Sequence, residues 1–355
     1  MKYRKLFIIS SACLLLVGCG GKESDTGGAF ELTDFKEVRL KSADASLVTD
    51  DVDVLGHPAF IRMMNDSVIA IRRVRNEYPV MLYNQSNRKS IPAIMIGQAP
   101  DEMQSVNGLS ADKEGNLWLI GPADGKVMIV SWNGTDSVAR KEFLFKTPLP
   151  VLGGAALSDN DICVMPTSEN DVRFLRLNRK GEEIKSYSIF PEIKLPTDTL
   201  SISNMMVQSD ISASPDGKNV VMVCKSFPYI QIFDIEKDVE KTLTGPGLWD
   251  IEVEAKDTSY GTLYTQKPMV FMYEGVAVGK ESFFVGYNGT EPKTKEDFES
   301  GINSLLEFDW EGHPKRRIVF ERDVLAFDVD GENGVVYTLE NNPDPALYHY
   351  NLPAD

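Results

Sequence analysis

Apolar residues along this chain fall into short runs of four to seven, rich in β-branched and aromatic side chains and cut off by Gly, Pro, Asn or Asp. Helical spacing is almost absent, so the pattern predicts strands joined by tight turns. One five-residue word occurs six times: Val80-Met81-Leu82-Tyr83-Asn84, Ile129-Val130-Ser131-Trp132-Asn133, Phe174-Leu175-Arg176-Leu177-Asn178, Ile230-Gln231-Ile232-Phe233-Asp234, Leu305-Leu306-Glu307-Phe308-Asp309 and Leu347-Tyr348-His349-Tyr350-Asn351. Each copy opens on an apolar residue, places an aromatic residue or Leu fourth, and closes on Asn or Asp. The closing residue should end the strand, because a short amide or carboxylate side chain satisfies nearby backbone N–H groups in a turn. Successive closing residues are 49, 45, 56, 75 and 42 positions apart, intervals that suit a four-stranded unit with one insertion.

A second word precedes each copy. Ser110-Ala111-Asp112-Lys113-Glu114-Gly115-Asn116-Leu117-Trp118-Leu119 and Ser212-Ala213-Ser214-Pro215-Asp216-Gly217-Lys218-Asn219-Val220-Val221 both read as a small-residue strand, an Asp/Gly turn and an apolar strand. Asn65-Asp66-Ser67, Ser158-Asp159-Asn160, Val278-Gly279-Lys280 and Asp330-Gly331-Glu332-Asn333-Gly334 hold the same place elsewhere. Small residues on a first strand suit the crowded centre of a propeller. One more strand follows the word, as at 90–96, 141–145, 184–189 and 317–320, but the sixth copy is followed by only four residues. Residues 35–40 alternate like a strand and have no unit of their own, so they are expected to complete the last blade and leave no open edge. The expectation is an all-β fold, a six-bladed β-propeller closed by the N-terminal strand over residues 30–355, with blades near 55–97, 103–146, 151–190, 204–245, 269–320 and 324–352 plus 35–41. Two β-sandwich domains would not explain six matching words.

Composition narrows the setting. The chain has 355 residues, 42% hydrophobic and 25% charged, which describes a folded protein and not a disordered one. With 37 Lys+Arg against 53 Asp+Glu and a formal charge of −16, it repels phosphate, and no nucleic-acid partner is expected. Lys2, Arg4 and Lys5 precede an apolar run from Leu6 to Val17 that is too short to span a bilayer, so residues 1–18 read as a signal peptide. The run ends in Leu16-Val17-Gly18-Cys19, which resembles the lipobox of bacterial lipoproteins and implies that Cys19 is lipidated. Removing residues 1–18 takes away three positive charges and leaves −19, so the lipid and not the surface must hold such a globule at anionic lipid. Gly20 instead of Asp after the anchor implies the outer membrane, facing the periplasm or the cell surface, and 19–29 is a polar tether. The six-blade count together with this signal resembles the TolB-like six-bladed β-propeller lipoproteins of Bacteroidota. Cys163 and Cys224 sit in apolar runs and are expected to be buried free thiols.

Chemistry is sparse. His57, His313 and His349 lack partners at metal or triad spacing, no nucleophile or phosphate-loop motif occurs, and neither a metal nor another cofactor is expected. The stretch 328–334 imitates a calcium loop with its Gly out of register and reads as a turn. In a propeller the loops between second and third strands and the inter-blade connections share one face, where ligands sit over the channel. Mapping the repeats puts Arg72, Arg73 and Arg75 there, and alternation nominates Arg73 and Arg75 as an anion clamp, with surface ion pairing as the plainer reading. His57, Tyr78, Gln98, Tyr229 and Asn341 are further candidates on that face. Two insertions, 246–267 and 288–303, exceed what the repeat requires. The function expected is a monomeric, anchored binding module for a protein, peptide or glycan. The alternative is a hydrolase or lyase using carboxylates at the channel mouth.

Overall fold

The computed structural model describes residues 24–25, 28–158, 160–167, 172–191, 193, 208–247, 250–258, 261–290, 301–341 and 343–353. The signal segment 1–18, Cys19, and the parts of the two insertions at Trp249, Tyr260 and 291–297 lie outside the described residues. Consecutive strands pair antiparallel into sheets. The first sheet holds Pro58–Met63, Val68–Arg73, Val80–Asn84 and Lys89–Ile94. The second holds Gly108–Ala111, Leu117–Ile120, Lys126–Ser131 and Arg140–Lys146. The third holds Val151–Ala156, Asp161–Pro166, Phe174–Asn178 and Glu183–Tyr187. The fourth holds Ser209–Ala213, Asn219–Cys224, Tyr229–Asp234 and Val239–Thr244. Ser24–Asp25 adds to the edge of the fourth, and Glu252–Thr258 and Gly261–Lys267 pair on their own. Phe271–Val278, Ser282–Thr290, Ile302–Asp309, Pro314–Asp330, Val335–Asn341 and Pro345–Asn351 join two N-terminal strands in one eight-stranded sheet, because Pro314–Asp330 continues from the partner of Ile302–Asp309 directly into the partner of Val335–Asn341.

The six words lie on the third strand of each repeat, and their first residues, Val80, Ile129, Phe174, Ile230, Leu305 and Leu347, are all buried. Five of the six closing residues make the turns expected of them. Asn84 Oδ1 accepts from Ser86 N, Asn133 Oδ1 from Thr135 N, Asn178 Oδ1 from Lys180 N, Asp234 Oδ1 from Lys237 N and Asp309 Oδ1 from His313 N, at 2.8–3.0 Å. The turns between first and second strands use the same device: Asn65 accepts from Ser67 N, Asp112 from Glu114 N and Asp330 from Glu332 N.

The first strands stand side by side around a channel. Pro58–Met63 contacts Gly108–Ala111, which contacts Val151–Ala156, then Ser209–Ala213, Phe271–Val278 and Pro314–Asp330, and the last returns to Pro58–Met63. Small residues are needed there: a Cβ on Gly154 would fall 2.3 Å from Cys163 O. The core is a set of apolar layers between neighbouring repeats, for example Ala155 and Phe174 against Met222 and Phe233. The layer of Ile61, Ile71 and Tyr83 against Ala326, Leu339 and Leu347 packs the eight-stranded sheet on the first. Because strand direction alternates, the starts of the first strands, the loops between second and third strands and the inter-sheet connections share one face. The side-chain-capped turns share the other.

The N-terminal segment differs from expectation. Lys36–Leu40 does not pair with the last strand. It adds in parallel to residues 316–320, on the outer side of Ile302–Asp309. The strand beside Pro345–Asn351 is Ser46–Thr49, antiparallel, with Thr49 opposite Leu347 and Leu47 opposite Tyr348. Proximity explains the exchange: Ser46–Thr49 immediately precedes the short helix Val52–Leu55 that leads into the first sheet. Phe30 and Phe35 then lock the earlier segment down, their rings edge-on to each other and to Phe308 at centroid distances of 5.1–5.8 Å.

Candidate functional site

On the connection face the channel widens into a cavity of about 930 Å³, counting its open mouth. Phe60, Leu109, Leu152, Ile211, Val276 and Phe327 give it apolar walls, one from each first strand. Its floor is Arg62, which also lines the cavity entered from the opposite face. Arg62 Nη1 reaches Asp328 Oδ1 at 3.1 Å and Nη2 donates to Val276 O at 3.3 Å, while Asp328 Oδ2 accepts from Met63 N at 2.6 Å. Pair and backbone together bar the channel, and both side chains are more than nine-tenths buried. Burial raises the Asp328 carboxyl and Arg62 opposes that rise.

Four ionisable side chains surround the mouth: Arg72, Asp210, Lys225 and Glu274. Asp210, second on its inner strand, holds Lys225 Nζ at 3.2 Å and accepts from Gly275 N at 2.7 Å. This neighbour raises Lys225 above its ordinary value against the opposing effect of burial. Glu274 is exposed to solvent at the rim, but the protein around its carboxyl displaces part of its hydration and raises it, with Lys225 pulling it down and Asp210 adding to the rise. Burial lowers Arg72, and Asp210 partly offsets this, yet a guanidinium stays charged. Among the described residues Arg72 has no hydrogen-bond or ion-pair partner, and its Nε is buried. Among the described residues the mouth therefore offers one cation without a partner, one ion pair and one carboxylate that protonates more readily than usual.

The residues nominated from sequence lie elsewhere. Arg73 is 6% exposed, and its guanidinium is consumed locally: Nε and Nη2 donate to Tyr78 O at 3.1 and 2.7 Å, Nη1 to Asp53 O at 2.9 Å and Nη2 to Asn76 Oδ1 at 3.1 Å. Arg75 is exposed, in the left-handed region with φ 54°, and so does not continue the alternation from Arg73. His57, Gln98 and Asn341 are exposed, Tyr78 and Tyr229 half-buried, and none of the seven lines the cavity. Of the first-noted cluster, Arg72 is the member at the mouth. Asp210 and Glu274 went unnoticed; the available signal was a charged residue on a strand otherwise built from small and apolar ones.

Other expectations stand as follows. Cys163 and Cys224 are buried free thiols, pushed above their usual value by burial. Cys224 touches a buried network in which Arg173 Nε donates to Gln231 Oε1 at 2.9 Å and Gln231 Nε2 to Glu240 Oε1 at 3.1 Å. His313 bonds Asp309 at 2.8 Å, and His349 stacks on Tyr337. Asp330 closes a turn while Asp328 faces Arg62, so 328–334 is not arranged as a calcium loop. The first insertion contains an antiparallel hairpin, Glu252–Thr258 with Gly261–Lys267.

Residues 34–332 match the family described as TolB-like 6-blade propeller-like. No curated protein matches the chain. Among solved structures it is similar to a Bacteroides fragilis protein described as exported, at 14% identity, covering 89% of this chain and 99% of that one with a TM-score of 0.53. A Bacteroides thetaiotaomicron protein of unknown function matches at 10% identity over 86% of this chain and 75% of that one, TM-score 0.52. U3-55K matches at 9% over 88% and 99%, TM-score 0.50. At such identities the likeness speaks for the fold alone. Among the described residues no helix is long and apolar enough to cross a membrane.

Proposed function

Because the chain belongs to the TolB-like 6-blade propeller-like family, we propose that it is a six-bladed, lipid-anchored module of the outer membrane that works by binding at its connection-face mouth. The eight-stranded sheet counts as two blades in this reading, and the pairing of Ser46–Thr49 with Pro345–Asn351 supports a seam closed by an N-terminal strand. The partner is a peptide, protein or glycan presenting a carboxylate or similar oxyanion. One observation carries this: the Arg72 guanidinium stands at the rim of an apolar-walled cavity with no partner among the described residues. A fork of N–H donors suits a planar oxyanion, and neighbouring Asp210, Lys225 and Glu274 add hydrogen-bonding groups for orientation. Arg72→Gln should weaken binding to a hit from an acidic peptide or glycan array by about 10- to 100-fold, the worth of a hydrogen bond to a charged group, with an unchanged Tm. Equal binding by the variant would overturn the assignment.

Glu274 favours a second reading. A carboxyl raised by lost hydration beside another carboxylate is a common setting for acid–base chemistry. Asp210 is already held by Lys225 and Gly275 N, which leaves Glu274 as the group able to exchange a proton. Glu274→Gln separates the two readings: a binding site keeps most of its affinity, whereas a hydrolase or lyase loses turnover while still binding.

A further inference from the structure

The path of the N-terminal segment determines which face of the ring looks toward the membrane. Ser24–Asp25 pairs in parallel with Glu240 and Lys241, near the start of Val239–Thr244, and Ala29 forms a parallel bridge with Thr244 at its end. There Phe30 N donates to Thr244 O at 2.9 Å and Thr244 N to Gly28 O at 3.3 Å. Val239–Thr244 begins just after the Asp234 turn, on the turn face, and ends on the connection face. The chain therefore climbs from the turn face to the connection face between residues 24 and 30.

Cys19 precedes Ser24 by five residues. At ~3.3–3.6 Å per residue that gives a reach of at most ~18 Å. Ser24, where the described chain begins, sits at the turn-face end of that edge, and Cys19 must lie within this reach of it. To bring Cys19 level with the mouth, the chain would have to reverse at Ser24 and run back, nearly fully extended, past the edge that residues 24–25 already occupy. We infer that a bilayer holding lipidated Cys19 lies under the turn face of the fourth sheet, and that the Arg72 mouth opens away from the membrane. This rests on the lipid-anchor reading and is independent of what the mouth binds. Turns on that face mix acids with bases, Asp66, Asp216, Glu236, Asp330 and Glu332 beside Arg88, Lys113, Lys218, Lys237 and Lys280, with Lys218 paired to Glu236, so the surface offers no strong attraction to anionic headgroups and the lipid sets the attachment. The mouth is thereby presented to a partner arriving from the aqueous side.

The inference is tested with the lipidated protein in vesicles carrying a headgroup energy-transfer acceptor. Donor dyes are placed on Lys237→Cys, in the turn after Asp234, and on Asn341→Cys, in an exposed loop of the connection face. Cys163 and Cys224 are buried and stay unlabelled in the folded protein. At least twofold stronger transfer from position 237 than from position 341 is expected. Equal or reversed transfer in vesicle-bound protein of unchanged Tm overturns the orientation alone. Protein that fails to co-sediment with vesicles overturns the anchor, and the orientation with it.

Discussion

Asn and Asp side chains punctuate the ring, each closing its turn on nearby backbone N–H groups. Asp112 shows how much one of them holds: it accepts from Glu114 N and Asn116 N at 3.0 and 2.9 Å, and from the indole Nε1 of fully buried Trp118 at 3.0 Å. Asp112→Ala leaves that indole N–H without an acceptor, and a loss of about 2–3 kcal/mol in urea unfolding is expected. Asp309 offers a pH signature. Burial alone would raise its carboxyl, but the hydrogen bonds from His313 lower it below 3.8. A depressed carboxylate contributes stability above its unfolded value and loses it as pH falls through the folded one. Asp309→Asn should therefore flatten the acid limb of the stability curve below pH ~4 relative to wild type. These turns were legible because their chemistry is local. The arginines were not: alternation says that Arg72 and Arg73 part company, but which of them meets the channel depends on how the blade sits in the ring. Arg73→Gln should lower the Tm by removing the bonds to Asp53 O and Tyr78 O, with binding unchanged, the opposite of Arg72→Gln.

Strands were located by pattern, and their partners only where a turn joined them. Hairpin neighbours follow from short connections, whereas Lys36–Leu40 and Ser46–Thr49 reach partners far along the chain. Lys36–Leu40 has the more regular alternation and drew the assignment, yet only Leu40 is buried, which fits an added outer strand. Ser46–Thr49 has two apolar residues in four and gave little signal, although it borders Pro345–Asn351. The two segments separate by experiment. Phe35→Ala, which removes an aromatic contact to Phe308 from a 7% exposed site, should cost about 3–5 kcal/mol in denaturant unfolding and leave the protein monomeric. A chain that keeps residues up to 41 but carries Leu47→Pro and Thr49→Pro retains the Phe35 contact, loses the Ser46–Thr49 pairing and exposes the backbone of Pro345–Asn351. Aggregation in size-exclusion chromatography is expected in addition to a lowered Tm.

At the scale of the molecule, the fold was legible because each unit repeats the same grammar. The mouth was not, because its residues come one at a time from separate inner strands and only the closed ring brings them together. The bar across the channel shows what that assembly imposes. Arg62 comes from the first sheet and Asp328 from the eight-stranded one, so their pairing spans the seam. Arg62→Ala leaves a buried carboxylate unpaired and should destabilise by about 3–5 kcal/mol, whereas Arg62→Met combined with Asp328→Leu should recover most of the loss. Chemical denaturation of the single and double variants measures the difference.

The seam also sets an order of events in the life of the chain. Ser46–Thr49 leaves the ribosome about 300 residues before its partner Pro345–Asn351. Every earlier repeat can form as a local meander during synthesis, but the circle stays open until Pro345–Asn351 arrives. Until then the first segment must wait with its backbone groups unsatisfied, so a message cut short anywhere before residue 345 yields not a smaller ring but an open arc with two sticky ends.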